Sequence, residues 1–327
     1  MRGVVVSRTN ETDLYLGINL AIDHVQGGMG DGLQLSFTEL RQPVTDADSK
    51  EEVLRAIEAI VNEARSIAED TAGQVHSCGI AVPALVNTAA GLMQLETEGF
   101  PVWDGFNLGN WFRERFGLPA IVETEVRAWA AAEMALGQGR GTSDAIFLKI
   151  DTSVKAAILS EGRWIRGHSG FAGNVGHIAT GNSKVICSCG HYGCLAASVS
   201  SDAVLGQFYE ALDEVEEEWP EENLPQSAID VIKLSLAGQA MAQEVLDNFV
   251  FDLGAGIASL VNLLNPQRVI VAGEMLLQNP KLLDQAFADA EKRILPACRT
   301  GLRLTRATIV ENAECWGAMI LAKEALH

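Results

Sequence analysis

No stretch of this chain is apolar for the roughly 20 residues that a membrane span requires. The longest apolar runs are short and interrupted, as in Ile257–Leu264. The first residues, MRGVVVSRTNETD, lack the apolar core of a secretory signal. Together these absences argue against a membrane span and against export, so the expected location is the cytoplasm. Positive charge is scarce as well: 24 Lys and Arg stand against 43 Asp and Glu, a formal net charge of −19. A surface that acidic repels phosphate backbones, so direct nucleic-acid binding over a broad face is not expected. Part of the excess lies in one run, Asp213–Glu222, read as a solvated helix end and loop.

What is present is enough apolar material for two cores, with 48% hydrophobic residues in a chain of 327. Leu14–Leu20 is a strand candidate, followed after a tight connection by Ile22–Gln26. Ser49-x-x-Glu52 has the form of a capping box. After it Val53, Ile57, Ile60, Val61, Ala64 and Ile67 recur at helical spacing. Val75–Val82 reads as a buried strand, Leu108–Phe116 as a short helix closed by Gly117, Ala120–Glu123 as a strand and Glu125–Leu136 as an alanine-rich helix. Asp144–Gly162 then repeats the strand, tight turn and strand of Asp13–Gly32. Stacking Leu14-Tyr-Leu-Gly-Ile-Asn on Ile146-Phe-Leu-Lys-Ile-Asp aligns the two, which points to two similar α/β halves facing across a cleft. Ser198 to about Leu264 is mainly helical. Strand Arg268–Ala272, helix Pro280–Ile294, strand Arg303–Val310 and a closing helix complete the chain.

Six cysteines are present. Cys78, Cys298 and Cys315 lie in apolar contexts, as buried thiols do. The other three form, with a preceding histidine, the strongest motif in the sequence: His177, then Cys187-x-Cys189-Gly190-x-x-Gly193-Cys194. In a reducing compartment such crowding reads as a metal site rather than a disulfide. One imidazole and three thiolates supply the four ligands of a closed, structural zinc site. The two glycines let the backbone turn sharply enough for the sulfurs to converge. His191 competes with His177 as fourth ligand by proximity alone.

Gly173-Asn-Val-Gly-His177 with these cysteines resembles the signature of the ROK family of sugar kinases and sugar-responsive repressors. Gly79-Ile-Ala-Val-Pro83, Trp103-Asp-Gly105 through Gly117-Leu-Pro119, Asn262-Leu-Leu-Asn-Pro266 and Val269-Ile-Val-Ala-Gly273 extend the resemblance along nearly the whole chain. It implies an α/β fold of two ribonuclease-H-like (actin-like ATPase) domains. The first domain would comprise residues 1–124 with 313–327, and the second residues 125–312 with the zinc loop. A homodimer is implied by the same resemblance.

The chain departs from the kinase pattern at its phosphate-binding turns. Kinases of the family hold phosphate with two glycine-rich turns, because only glycine lets backbone N–H groups close on the anion. The first falls on Asn19-Leu-Ala21-Ile22-Asp23-His24 and the second on Asp151-Thr152-Ser153-Val154-Lys155, and neither keeps its glycines. The family's catalytic aspartate corresponds to Glu125 in Glu123-Thr124-Glu125. An added methylene displaces its carboxylate by about 1 Å, an error that can cost on the order of 100-fold in rate. Two sugar-binding glutamates of the family are replaced by Asn174 and Ala196. The remaining polar ligand set is Thr124, Glu125, Asn174 and His177, with Trp103 either a stacking wall or a core residue.

These features lead to a non-catalytic domain that senses a sugar or sugar phosphate, as in the effector part of a transcriptional regulator, with structural zinc and without ATP or magnesium. Arg2–Arg8 looks like the segment that follows a winged helix-turn-helix, and the residues ahead of Leu14 are too few to form one. A divergent ATP-dependent sugar kinase and a ligand-free oligomerisation scaffold are the two alternatives.

Overall fold

The computed structural model describes residues 12–21, 23–31, 38–46, 49–94, 103–180, 185–215 and 219–326. Arg2–Arg8, Ile22 and Glu216–Glu218 of the acidic run therefore lie outside the described residues. The chain forms two compact units, one of Met1–Gly137, Gly167–Phe171 and Ile309–His327, the other of Gln138–Arg166 and Ala172–Thr308.

The first unit is built on β1 (Thr12–Leu20), β2 (His24–Gly30), β3 (Thr38–Pro43), β4 (Gly73–Val82) and β7 (Ala120–Thr124), in the order β3-β2-β1-β4-β7. A small hairpin of β5 (Leu85–Asn87) and β6 (Leu92–Gln94) lies between β4 and β7 in sequence. β1 pairs antiparallel with β2 and parallel with β4. One face of the sheet carries α1 (Lys50–Asp70), whose Val53, Ile57, Ile60, Val61 and Ala64 are buried as their spacing requires. Ile67 is only partly buried, while Ala56 and Ala68 are buried. The capping box does not form: Ser49 makes no side-chain cap bond, and the Glu52 carboxylate instead accepts from the Thr45 backbone N–H at 2.6 Å and its hydroxyl at 2.9 Å. α2 (Leu108–Phe116) ends at Gly117 in the left-handed region, φ 68°.

The C-terminal helix Ala313–Glu324 lies so close to this sheet that side chains are excluded. A Cβ on Gly17 of β1 would stand 1.9 Å from the Cys315 carbonyl oxygen, and one on Gly79 of β4 1.9 Å from that of Ala318. α3 (Glu125–Leu136) closes the layer, with Gly317 packed on the Ala128 backbone. Trp129 Nε1 donates to the Ile309 carbonyl at 2.6 Å, and Glu133 accepts from the Ile309 N–H at 2.6 Å.

The second unit repeats the sheet order. β8 (Ala145–Ile150), β9 (Val154–Ser160), β10 (Arg163–Trp164), β11 (Arg268–Ala272) and β12 (Arg303–Arg306) are arranged β10-β9-β8-β11-β12, with β8 antiparallel to β9 and parallel to β11. The repeated hairpin seen in the sequence is thus the head of a repeated sheet. β12 stops at Arg306, short of the expected Val310. The helical layer comprises α4 (Ala196–Val199), α5 (Ser201–Asp213), α6 (Ala228–Leu236), α7 (Ala240–Leu264), α8 (Glu274–Gln278), α9 (Pro280–Arg293) and α10 (Pro296–Arg299). Phe249, Leu253, Ile257 and Val261 of α7 share one core with Ile146, Leu148, Val269 and Val271 of the sheet. Cys78 and Cys315 are buried as expected, and Cys298 is only partly so.

Candidate functional site

The cysteine segment folds as a tight hairpin. Ile186 bridges Tyr192, the Cys187 N–H donates to the His191 carbonyl at 2.8 Å, and the Gly190 N–H to the Cys187 carbonyl at 2.8 Å. Gly190 and Gly193 take φ of 84° and 74°, the left-handed conformation that L side chains resist. Cys194 bridges Ala179, which follows the short 3₁₀ turn Val175–His177 and so sets the histidine beside the sulfurs. One atom each from His177, Cys187, Cys189 and Cys194 lies within 4.8 Å of every other.

The spacing fits a tetrahedral metal ion. With sulfur ligands at about 2.3 Å, the edges of the tetrahedron are about 3.7 Å. Cys187 Sγ stands 3.8 Å from His177 Nδ1, and Cys189 Sγ 3.7 Å from Cys194 Sγ. His191 Nδ1 lies 3.6 Å from Cys189 Sγ, yet it is His177 that completes the four-membered group. Cys189 and Cys194 are shifted in opposite directions. The Cys189 pKa is held down to about 6, chiefly by the His191 backbone N–H and then by the His191 ring. Burial, followed by the neighbouring thiols, pushes Cys194 up to about 12.

Of the expected ligand residues, Thr124 spends its hydroxyl as N-cap of α3, accepting from the Arg127 N–H at 3.4 Å. Glu125 is the first residue of that helix and is partly buried. Trp103 is fully buried, edge-on to Phe106 at 5.4 Å between ring centres, so its faces belong to the core of the first unit. Asn174 precedes the 3₁₀ turn that carries His177. The sequence reading passed over Glu123 and Arg127, which form an ion pair at 2.6 Å with 1% and 2% of their side chains exposed. Arg127 also donates to the Gly170 carbonyl at 3.0 Å and so fastens the Gly167–Phe171 segment to its unit. Glu123 lies in a strand and Arg127 in the helix that follows, so no single periodicity links the two.

The two turns expected at the phosphate positions of the family's kinases carry charged side chains that pair within the chain. After β1, the Asp23 carboxylate meets His24 Nδ1 at 2.5 Å, and Arg41 reaches the same ring at 3.2 Å. His24 holds the Asp23 carboxyl below its ordinary value. After β8, Asp151 accepts from the Glu274 N–H at 3.1 Å and faces Lys149 Nζ at 3.4 Å.

The family model for ROK matches residues 15–325. The chain belongs to the ROK family. The xylose repressor of Caldicellulosiruptor bescii is 26% identical over 288 residues, covering 85% of this chain and 71% of that protein. The glucokinase of Halalkalibacterium halodurans is 28% identical over 227 residues, covering 68% of this chain and 69% of that protein. Among solved structures, a ROK family transcriptional regulator homologous to the E. coli MLC protein superposes with a TM-score of 0.82 at 25% identity, covering 96% of this chain and 78% of that one. This ROK chain thus has both repressors and kinases among its relatives, and its mixed α/β fold is that of the family. No helix among the described residues is long and apolar enough to cross a membrane.

Proposed function

We propose that this ROK chain senses a sugar or sugar phosphate without phosphorylating it, as part of a transcriptional regulator, and that its cysteine hairpin holds a structural zinc ion. The observation that carries the first part is the Asp151 carboxylate, which takes up the Glu274 N–H and faces Lys149 at the head of the second turn. Phosphoryl transfer rests almost wholly on positioning and charge. A phosphate brought to that turn meets a carboxylate instead of backbone N–H groups. The turn after β1 adds a second carboxylate, Asp23.

Four protein ligands leave no open position on the metal, so its role is to lock the hairpin to the Val175–His177 turn. Asn174, which immediately precedes that turn, is the polar residue of the second unit proposed for the ligand.

Calorimetric titration of the zinc-loaded protein tests both parts. ATP with magnesium should give no heat and no turnover, whereas one member of a panel of hexoses, amino sugars and their phosphates should bind. ATP binding with sugar phosphorylation overturns the reading and restores a kinase. Cys189→Ser should lose the metal, and an unchanged zinc content in that variant sinks the metal assignment.

A further inference from the structure

The three sulfurs of the hairpin differ in access. Cys187 and Cys194 are buried, whereas Cys189 is exposed. Cys189 Sγ lies 3.7 Å from Cys194 Sγ. A disulfide requires the two sulfurs to approach to about 2.05 Å, so about 1.6 Å of closure suffices. Gly190 adjoins Cys189 and Gly193 adjoins Cys194, and a Cβ built on Gly190 would meet nothing within 4 Å, so the backbone there has room to turn. The remaining thiols are poorer candidates: Cys78 and Cys315 are buried, and Cys298 packs partly buried against the core of the second unit.

We propose that Cys189 is an oxidation site for hydroperoxides, with Cys194 as its resolving partner, and that forming their disulfide expels the metal. The inference rests on the zinc reading above. In the first step Cys189 thiolate attacks one peroxide oxygen; an S–O bond forms, the O–O bond breaks, and hydroxide or alkoxide leaves. In the second step Cys194 thiolate attacks that sulfur; the S–S bond forms and the S–O bond breaks, releasing hydroxide that takes up a proton as water. Two thiolates are oxidised and one peroxide is reduced. A disulfide no longer supplies two anionic ligands, so Cys187 and His177 alone cannot retain the ion. The hairpin then loses its metal tie to the Val175–His177 turn and keeps the backbone bridge at Ala179 and Cys194, and peroxide would be read as a second input beside the sugar ligand.

The test uses the zinc-loaded native chain. Its metal content is measured first, then hydrogen peroxide is added in the presence of a chromophoric zinc chelator, and the digested product is mapped by mass spectrometry. The expected result is release of the full zinc content, loss of two thiols, a Cys189–Cys194 linked peptide, and recovery on adding dithiothreitol and zinc. Cys298→Ser should release zinc at the same rate as the native chain. Three results overturn the proposal: zinc retained under peroxide that oxidises free cysteine, zinc lost with sulfinic acid as the only product, or a disulfide mapped to another pair. A chain found without zinc before peroxide overturns the metal reading itself, which separates the two failures.

Discussion

The two sheets of this protein share one strand order and hold their helices in different ways. In the first unit, Gly17 and Gly79 let the C-terminal helix rest on the strands almost backbone to backbone, with 1.9 Å between a would-be Cβ and a helix carbonyl. In the second, α7 stands off the sheet on large side chains, Phe249, Leu253 and Ile257 among them. The same topology can therefore be stabilised by close approach or by apolar volume. The two modes fail differently, since one tolerates no added atom and the other no lost one. The second unit alone carries the cysteine hairpin, a local tie that the first has no counterpart for among the described residues.

That difference can be broken from the hairpin first. Stripping the proposed zinc with a chelator should lower the stability of the second unit by about 5 kcal/mol, because ligand binding and folding of the loop are one equilibrium. Hydrogen exchange should show opening at residues 185–195 with the first unit unchanged; equal protection with and without chelator goes against it. Phe249→Ala, at a side chain 1% exposed, should cost about 4 kcal/mol through the cavity it leaves, again in the second unit only. Gly79→Val should cost about 3 kcal/mol in the first unit, by forcing the C-terminal helix away from β4. If Gly79→Val melts both units equally, the two packing modes are not independent.

The smallest effect concerns helix starts. Ser200 caps α5 by accepting from the Ala203 N–H at 3.1 Å, so Ser200→Ala should cost about 1 kcal/mol. Ser49 makes no such bond, and Ser49→Ala should leave the melting temperature almost unmoved. A loss as large at Ser49 as at Ser200 means that Ser49 caps α1 in solution after all.

Much of the architecture was legible because it depends on local periodicity. The buried face of α1, the turn at Gly117 and the repeated hairpin follow from residue spacing alone. The third strand of each sheet was not legible, since Thr38–Pro43 and Arg163–Trp164 carry too little apolar pattern to be noticed apart from their partners. Nor was the fate of Glu52, which looks like a capping residue in sequence but finds Thr45 closer in space. Trp103 left two readings open, and its complete burial decided for the core.

The sequence by itself determined the metal ligands worth considering, the absence of glycine from positions 19–24 and 151–155 and the duplication, because each is written in residue type and spacing. Only the tertiary structure brought His177 within 4.8 Å of the three sulfurs, paired Glu123 with Arg127 and turned Asp151 onto the Glu274 N–H. Those choices join residues up to 123 positions apart. Which donor meets which acceptor at that separation is set by how strands and helices pack, and no local pattern encodes it.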